Sequence, residues 1–189
     1  MLKFIPAALI CLTLTACDFR EYMPMRGYYA ASTSMEPNLP LNTQIFAWKV
    51  TPAELRRGDI VIVDHKGEAW VLRLVGLPND SIEMRDGIVS LNGQEIEQRS
   101  VGTHEVSGSF DTYEAAMFEE QFPGESQPHY ILDTGQTFGD NYPETKLGKD
   151  EYFLLGDNRD HSGDSRFTDD IVGVGIIGRD RIKRRVELN

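Results

Sequence analysis

The apolar positions of this chain fall into short runs with strand spacing rather than helical spacing. Residues 44–50 (QIFAWKV) alternate along the chain, as a half-buried strand does. Residues 60–63 (IVIV) form a continuous β-branched run, which predicts a strand buried on both faces. Residues 70–77 give a third strand, and residues 152–155 (YFLL) and 171–178 give two more. Between residues 81 and 96, Asp86-Gly87 and Asn92-Gly93 punctuate short strands, and both dipeptides favour tight hairpin turns. Thr51-Pro52 opens a short turn or helical piece, with proline near its start. Residues 101–149 have weak periodicity, and 113–121 are assigned a short helix. The pattern predicts a mostly β protein with few short helices, and no internal repeat is present.

The chain has 189 residues, enough for one full core with an added insert. Its net charge of −11 argues against nucleic acid as a partner, because phosphate neutralisation needs clustered Lys and Arg. The acidity is uneven: residues 101–149 hold nine acidic and two basic side chains. Residues 179–185 hold five basic ones, either a headgroup-facing patch or, on the simpler reading, the solvated face of a strand whose Ile182, Val186 and Leu188 point inward. Cys and His show no ligand spacing, so no metal is implied, and no cofactor is expected.

The beginning of the chain reads as a targeting segment. Lys3 precedes an apolar run from Phe4 to Leu14, about the length of a signal h-region and too short for the roughly 20 residues of a bilayer span. The run ends in Leu14-Thr15-Ala16-Cys17, which resembles a bacterial lipobox. That resemblance implies cleavage before Cys17, acylation of Cys17 and removal of Cys11, leaving no disulfide or catalytic thiol. The competing reading is an uncleaved signal-anchor, which the shortness of the run disfavours. In a Gram-negative cell, Asp18 after the Cys resembles an inner-membrane retention signal. The expected location is then the outer, periplasmic face of the cytoplasmic membrane. The resulting division is a signal peptide at 1–16, a linker at 17–31, a core at 32–100 and 150–189, and an acidic insert at 101–149.

Three segments carry candidate chemistry. Residues 32–41 read STSMEPNLPL, residues 73–80 read RLVGLPND, and residues 156–167 read GDNRDHSGDSRF. In that order they resemble the motifs of bacterial signal peptidase I, a membrane-bound serine endopeptidase that trims exported preproteins. The resemblance implies a coiled, largely antiparallel β core with an apolar groove that takes an extended peptide as an added strand. It implies Ser34 as nucleophile and the Ser32 hydroxyl as part of the oxyanion hole. Asp157, Asp164 and Arg166 are implied as a bracing ion-pair network, and Ser162 as the hydrogen-bond partner of the catalytic amine. Each type fits its task, since a serine hydroxyl needs a base to take its proton and a developing oxyanion needs aimed donors.

One position departs from the pattern. The bacterial family has Lys directly before the Arg of the second motif, and here Leu72 stands there. Strand alternation sets Trp70, Leu72 and Leu74 on one face and Val71 and Arg73 on the other. Leu72 takes the inward place and accepts no proton, while Arg73 faces away and stays charged. His161, beside Ser162, is an alternative base. His65 and Lys66 read as hairpin-loop residues, and His104 and His129 belong to no motif. Two functions follow: a signal-peptide endopeptidase with impaired catalysis, or a non-catalytic relative that binds peptides or regulates.

Overall fold

Ile60-Val61-Ile62-Val63 lies at the centre of the largest sheet, and its two faces meet two different cores. The computed structural model describes residues 23–109, 111–168 and 173–188. Its strands begin with β1 (Met25–Tyr29), β2 (Gln44–Lys49), β3 (Ile60–His65), β4 (Glu68–Gly76) and β5 (Ser81–Arg85). There follow β6 (Ile88–Leu91), β7 (Gln94–Glu95), β8 (Gln98–Ser107), β9 (Thr112–Glu120) and β10 (His129–Asp133). The last are β11 (Tyr142–Lys146), β12 (Glu151–Leu155), β13 (Ile177–Gly178) and β14 (Ile182–Glu187). They make a seven-stranded sheet in the order β1-β2-β14-β3-β4-β12-β13, a four-stranded sheet β11-β5-β6-β7 and a three-stranded sheet β10-β9-β8. The fold is mostly β, as the apolar pattern predicts.

Alternation along β3 explains the layering. Ile60 and Ile62 pack with Met35, Leu39, Ile45 and Val186 on one face. Val61 and Val63 pack with Leu72, Leu74, Tyr152 and Leu154 on the other. A third cluster, including Val75, Ile82, Met84, Val89 and Phe153, joins the four-stranded sheet to the end of β4. Both predicted turns form as expected, with Asp86, Gly87, Asn92 and Gly93 all at positive φ.

Several elements differ from those the residue pattern predicts. Residues 113–121 are not helical: β9 covers Thr112–Glu120 and is the central strand of its sheet, between β8 and β10. The helix-favouring Glu-Ala-Ala-Met segment is overridden by pairing on both edges and by burial of Ala115 against Val106 and Leu132. Part of the linker, Met25–Tyr29, is a strand paired with β2. Of residues 171–178 only Ile177–Gly178 form a strand; Gly173, Val174 and Gly175 fold back on the carbonyls of Thr168, Asp164 and Phe167, and 171 and 172 lie outside the described residues. Ile182 and Val186 are buried, but Leu188 is exposed, because β14 has ended. The targeting segment with Lys3, Cys11, Cys17 and Asp18 lies outside the described residues. Among the described residues no helix is long and apolar enough to cross a membrane.

Candidate active site

Ser34 lies in the loop between β1 and β2, which Met35 and Leu39 fasten to the sheet by their burial. The Ser32 and Ser34 hydroxyl oxygens are 3.0 Å apart, within hydrogen-bond reach. The third motif grips this loop through Asn158. Its backbone N–H donates to the Ser34 carbonyl at 3.0 Å, and its side-chain amide donates to the Thr33 carbonyl at 3.1 Å and the Tyr113 hydroxyl at 2.8 Å. Asn38 reaches back from the same loop to Asp157 Oδ2 at 2.7 Å.

A cavity of about 350 Å³ opens beside Ser34. Its walls include Ser32, Ser34, Trp70, Leu72, His161 and Ser162. Strand β12 pairs with β4 only from Arg73 to Gly76, so among the described residues the Glu68–Leu72 stretch carries no strand on that side and faces the cavity. Tyr29 to Ser32 line it as well. Backbone edges of this kind can accept an added strand.

Leu72 is fully buried, packed into the cluster of Val61, Val63 and Leu74. Ser162 Oγ is also buried, and among the described residues it has no hydrogen-bond partner. A buried hydroxyl without a partner is unusual and costly. Gly156 explains how closely the parts meet: a Cβ there would collide with the Ser162 side chain and lie 2.8 Å from the Ser34 carbonyl oxygen.

The expected single bracing network is two separate pairs. Asp164 Oδ1 accepts from Arg166 Nε at 2.9 Å, and its Oδ2 accepts from Arg166 Nη2 at 2.8 Å and the Gly156 N–H at 3.0 Å. Arg166 also donates to the carbonyls of Arg159 and Gly139, which pins the loop from inside. Asp157 belongs instead to Arg73, whose Nε and Nη2 reach Oδ1 and Oδ2 at 2.7 and 2.6 Å. Burial alone would lower the Arg73 pKa, but the adjacent Asp157 carboxylate overcomes it and raises it. Arg73 faces away from Leu72, as the alternation predicts, and its two-point grip on Asp157 is what residue patterns alone did not reveal. A charged residue in an apolar strand was the available signal, because a buried guanidinium needs a carboxylate.

The histidines part company. His161 lines the cavity, is exposed, and stacks on Tyr113 with ring centroids 4.2 Å apart. His65 is not a loop residue: it ends β3, is buried, contacts Arg181 Nη2 at 2.8 Å and meets the Trp70 ring edge-on. Lys66 occupies the tight turn at positive φ. His104 Nε2 lies 3.3 Å from Glu36 Oε2, two residues beyond the candidate nucleophile. His129 is buried between Glu120 at 3.4 Å and Glu125 at 3.3 Å, and Arg159 of the third motif also pairs with Glu120. Burial would raise the Glu120 pKa, yet Arg159 and His129 hold it down at about 2. Burial likewise opposes the charge on His129, and its two carboxylates raise its pKa. These contacts lock the β8–β10 sheet onto the candidate site. Among the described residues no group of three or more His, Cys, Asp or Glu is placed to hold a metal ion.

A family model described as signal peptidase, peptidase S26, matches residues 1–188. Signal peptidase I of Bacillus licheniformis is 29% identical over 179 residues, covering 93% of this chain and 81% of the relative. Signal peptidase I of Rickettsia akari (strain Hartford) is 34% identical over 160 residues, covering 80% of this chain and 56% of the relative. Among solved structures, a signal peptidase I from Enterococcus faecalis V583 is 21% identical, with a TM-score of 0.37 and coverage of 70% of this chain and 97% of that one. The family match runs almost the whole length of the chain, which therefore belongs to the signal peptidase family, peptidase S26.

Proposed function

We propose that the chain is a signal peptidase I-type protein that takes signal peptides, or other extended segments of exported proteins, into the cavity beside Ser34, and that its catalysis is impaired by Leu72. Ser34 is the nucleophile of this reading, and Ser32 with the Ser34 backbone N–H supplies the oxyanion hole. Leu72 occupies the position of the base and offers no lone pair. The observation that carries the reading is that Ser34, Leu72 and Ser162 line one cavity, with the Ser162 hydroxyl buried and without a partner among the described residues. An amine on residue 72 is the partner that this hydroxyl lacks.

Removing one member of a serine–base pair costs several orders of magnitude in rate. Single-turnover cleavage of a preprotein therefore tests the proposal, with wild type beside Ser34→Ala. A slow cleavage that Ser34→Ala abolishes supports an impaired peptidase. Peptide binding with no Ser34-dependent cleavage supports the second reading, a non-catalytic peptide-binding or regulatory homologue, which the burial of Leu72 among apolar side chains favours. Failure to bind any signal peptide overturns both.

The anchor in this proposal is lipid on Cys17, holding the domain at the outer face of the cytoplasmic membrane. Cys17→Ala should leave an unprocessed and unacylated precursor. Equal processing and lipid labelling in that variant would overturn it.

A further inference from the structure

A second cavity, of about 590 Å³, lies across the Ser162–Gly163 segment from the first. Both cavities share these two residues, and the second is walled by Thr137, Phe138, Asp160 and Phe167. Phe138 is 81% exposed, more than any other large apolar side chain among the described residues. It stands 5.0 Å from the Phe167 ring, centroid to centroid, at a tilt of 50°. This geometry leaves ring faces for a third apolar group.

The loop that presents Phe138 is fastened on both sides. Thr134 donates to Asp160 Oδ2 from its N–H at 2.7 Å and from its hydroxyl at 2.9 Å. The Thr137 N–H donates to Asp140 at 2.8 Å, and the Thr137 hydroxyl lies 2.8 Å from Asp160 and 2.9 Å from Asp140. Gly139 lets the loop close on its neighbour, since a Cβ there would sit 2.8 Å from the Phe167 ring. An exposed aromatic on a braced loop binds without the entropic cost of ordering it first.

The polar side chains around this cavity are already engaged, apart from the Ser162 hydroxyl, which is buried. Arg159 is held by Glu120 and the Gly156 carbonyl, Asp160 by Thr134 and Thr137, and Arg166 by Asp164 beneath the Phe167 ring. What the cavity offers a ligand is two aromatic faces and the small Gly163. We propose that Phe138 and Phe167 form a specificity subsite for a bulky apolar or aromatic side chain of the bound peptide, across the Ser162–Gly163 segment from the groove lined by Tyr29 and Trp70. The subsite rests on the peptide-binding reading above. Its occupant is the continuation of the peptide that passes Ser34, because the two cavities meet at Ser162 and Gly163, which line the first cavity together with that residue.

The test uses the full chain carrying Ser34→Ala, so that binding is read without cleavage. Fluorescent extended peptides with a single Phe moved along an otherwise constant sequence are titrated against it. Phe at one position, or two neighbouring ones, should tighten binding about tenfold over the Phe-free peptide. Adding Phe138→Ala should abolish that gain and leave the affinity of the Phe-free peptide unchanged, while Phe138→Leu keeps part of it. Because Phe138 is exposed, its replacement leaves the fold intact, which circular dichroism checks. If every peptide binds and the Phe gain persists in Phe138→Ala, the subsite is refuted while the peptide-binding reading stands. If no peptide binds with Phe138 intact, that reading fails first. If Phe138→Ala changes vesicle partitioning or self-association but not peptide binding, the rings serve a membrane or a second copy, and the proposal is overturned.

Discussion

Arg73 and Asp157 form a buried two-point ion pair that joins strand β4 to the loop after β12, with both nitrogen-to-oxygen distances at 2.7 Å or less. Arg73 Nη1 also donates to the Gly58 carbonyl at 2.8 Å, and Asn38 donates to Asp157 from the Ser34 loop. The pair thus fixes the register of the residue next to Leu72 against the third motif. Breaking a buried pair leaves one charge without compensation, at a cost of about 3–5 kcal/mol. Arg73→Met and Asp157→Asn should each destabilise by that order in urea unfolding. Arg73→Lys should lose less, since a point charge keeps the attraction but not the planar two-point grip. A loss below about 1 kcal/mol in Arg73→Met would show that the pair does not hold the loop.

Stability should fall on both sides of a plateau in pH. Glu120 is held at about 2 against its ordinary 4.5, so its contribution is complete above pH 4.5 and is lost as pH drops towards 2. That shift corresponds to about 3 kcal/mol. His129 has its pKa raised above 6.5, so its contribution is complete below pH 6.5 and is lost as pH rises through the raised value. Unfolding free energy measured across this range should show both limbs. His129→Gln should flatten the alkaline limb and leave most of the acid limb, because Arg159 still pairs with Glu120. An unchanged alkaline limb in that variant would assign the decline elsewhere.

Gly156→Ala should damage the candidate site more than its single methyl group implies. The new Cβ meets the Ser162 side chain and the backbone of Ser34, and backbone cannot rotate away. Overpacking of this kind costs about 1–3 kcal/mol. A Gly156→Ala, Ser162→Gly double variant should recover stability, because the colliding side chain is gone. No recovery would place the strain at Ser34 rather than at Ser162.

What could be read in the residues was what is local. Ile60 to Val63 and the two Asx-Gly turns each carry their meaning within a few positions, and they lie on the elements that the pattern assigns them. Contacts between distant segments were not legible. Asp157 and Arg73 are separated by 84 positions, and nothing in the spacing of the third motif says that Asp157 leaves Arg166 for another partner. The strand at Thr112–Glu120 departs from its local helical pattern because its helix-forming residues take their conformation from β8 and β10 on either side. His129 bears no motif, and its role appears only when the sheet places Glu120 and Glu125 against it.

Leu72 and Ser162 share a cavity wall with Ser34. If Leu72 alone impairs catalysis, Leu72→Lys places an amine in a cavity wall shared with Ser34 and Ser162. The surrounding Val61, Val63 and Leu74 disfavour the charged form and lower the amine's pKa, so that it can accept the Ser34 proton. Ser162 Oγ gains the partner it lacks among the described residues, and the Arg73–Asp157 and Arg166–Asp164 pairs already hold the two flanking segments. A positioned base contributes about 10²–10⁴-fold to such steps. Cleavage of signal-peptide substrates should therefore rise about a hundredfold or more in Leu72→Lys and vanish when Ser34→Ala is added. The rate should increase with pH as the buried amine loses its proton. Overpacking, or a charge buried without a partner, could unfold the variant, so its melting temperature must be measured beside wild type. A folded Leu72→Lys protein no more active than wild type refutes the idea that one residue separates this chain from catalysis. If wild type already cleaves and His161→Ala abolishes it, the imidazole stacked on Tyr113 is the base, and Leu72 is simply part of the wall.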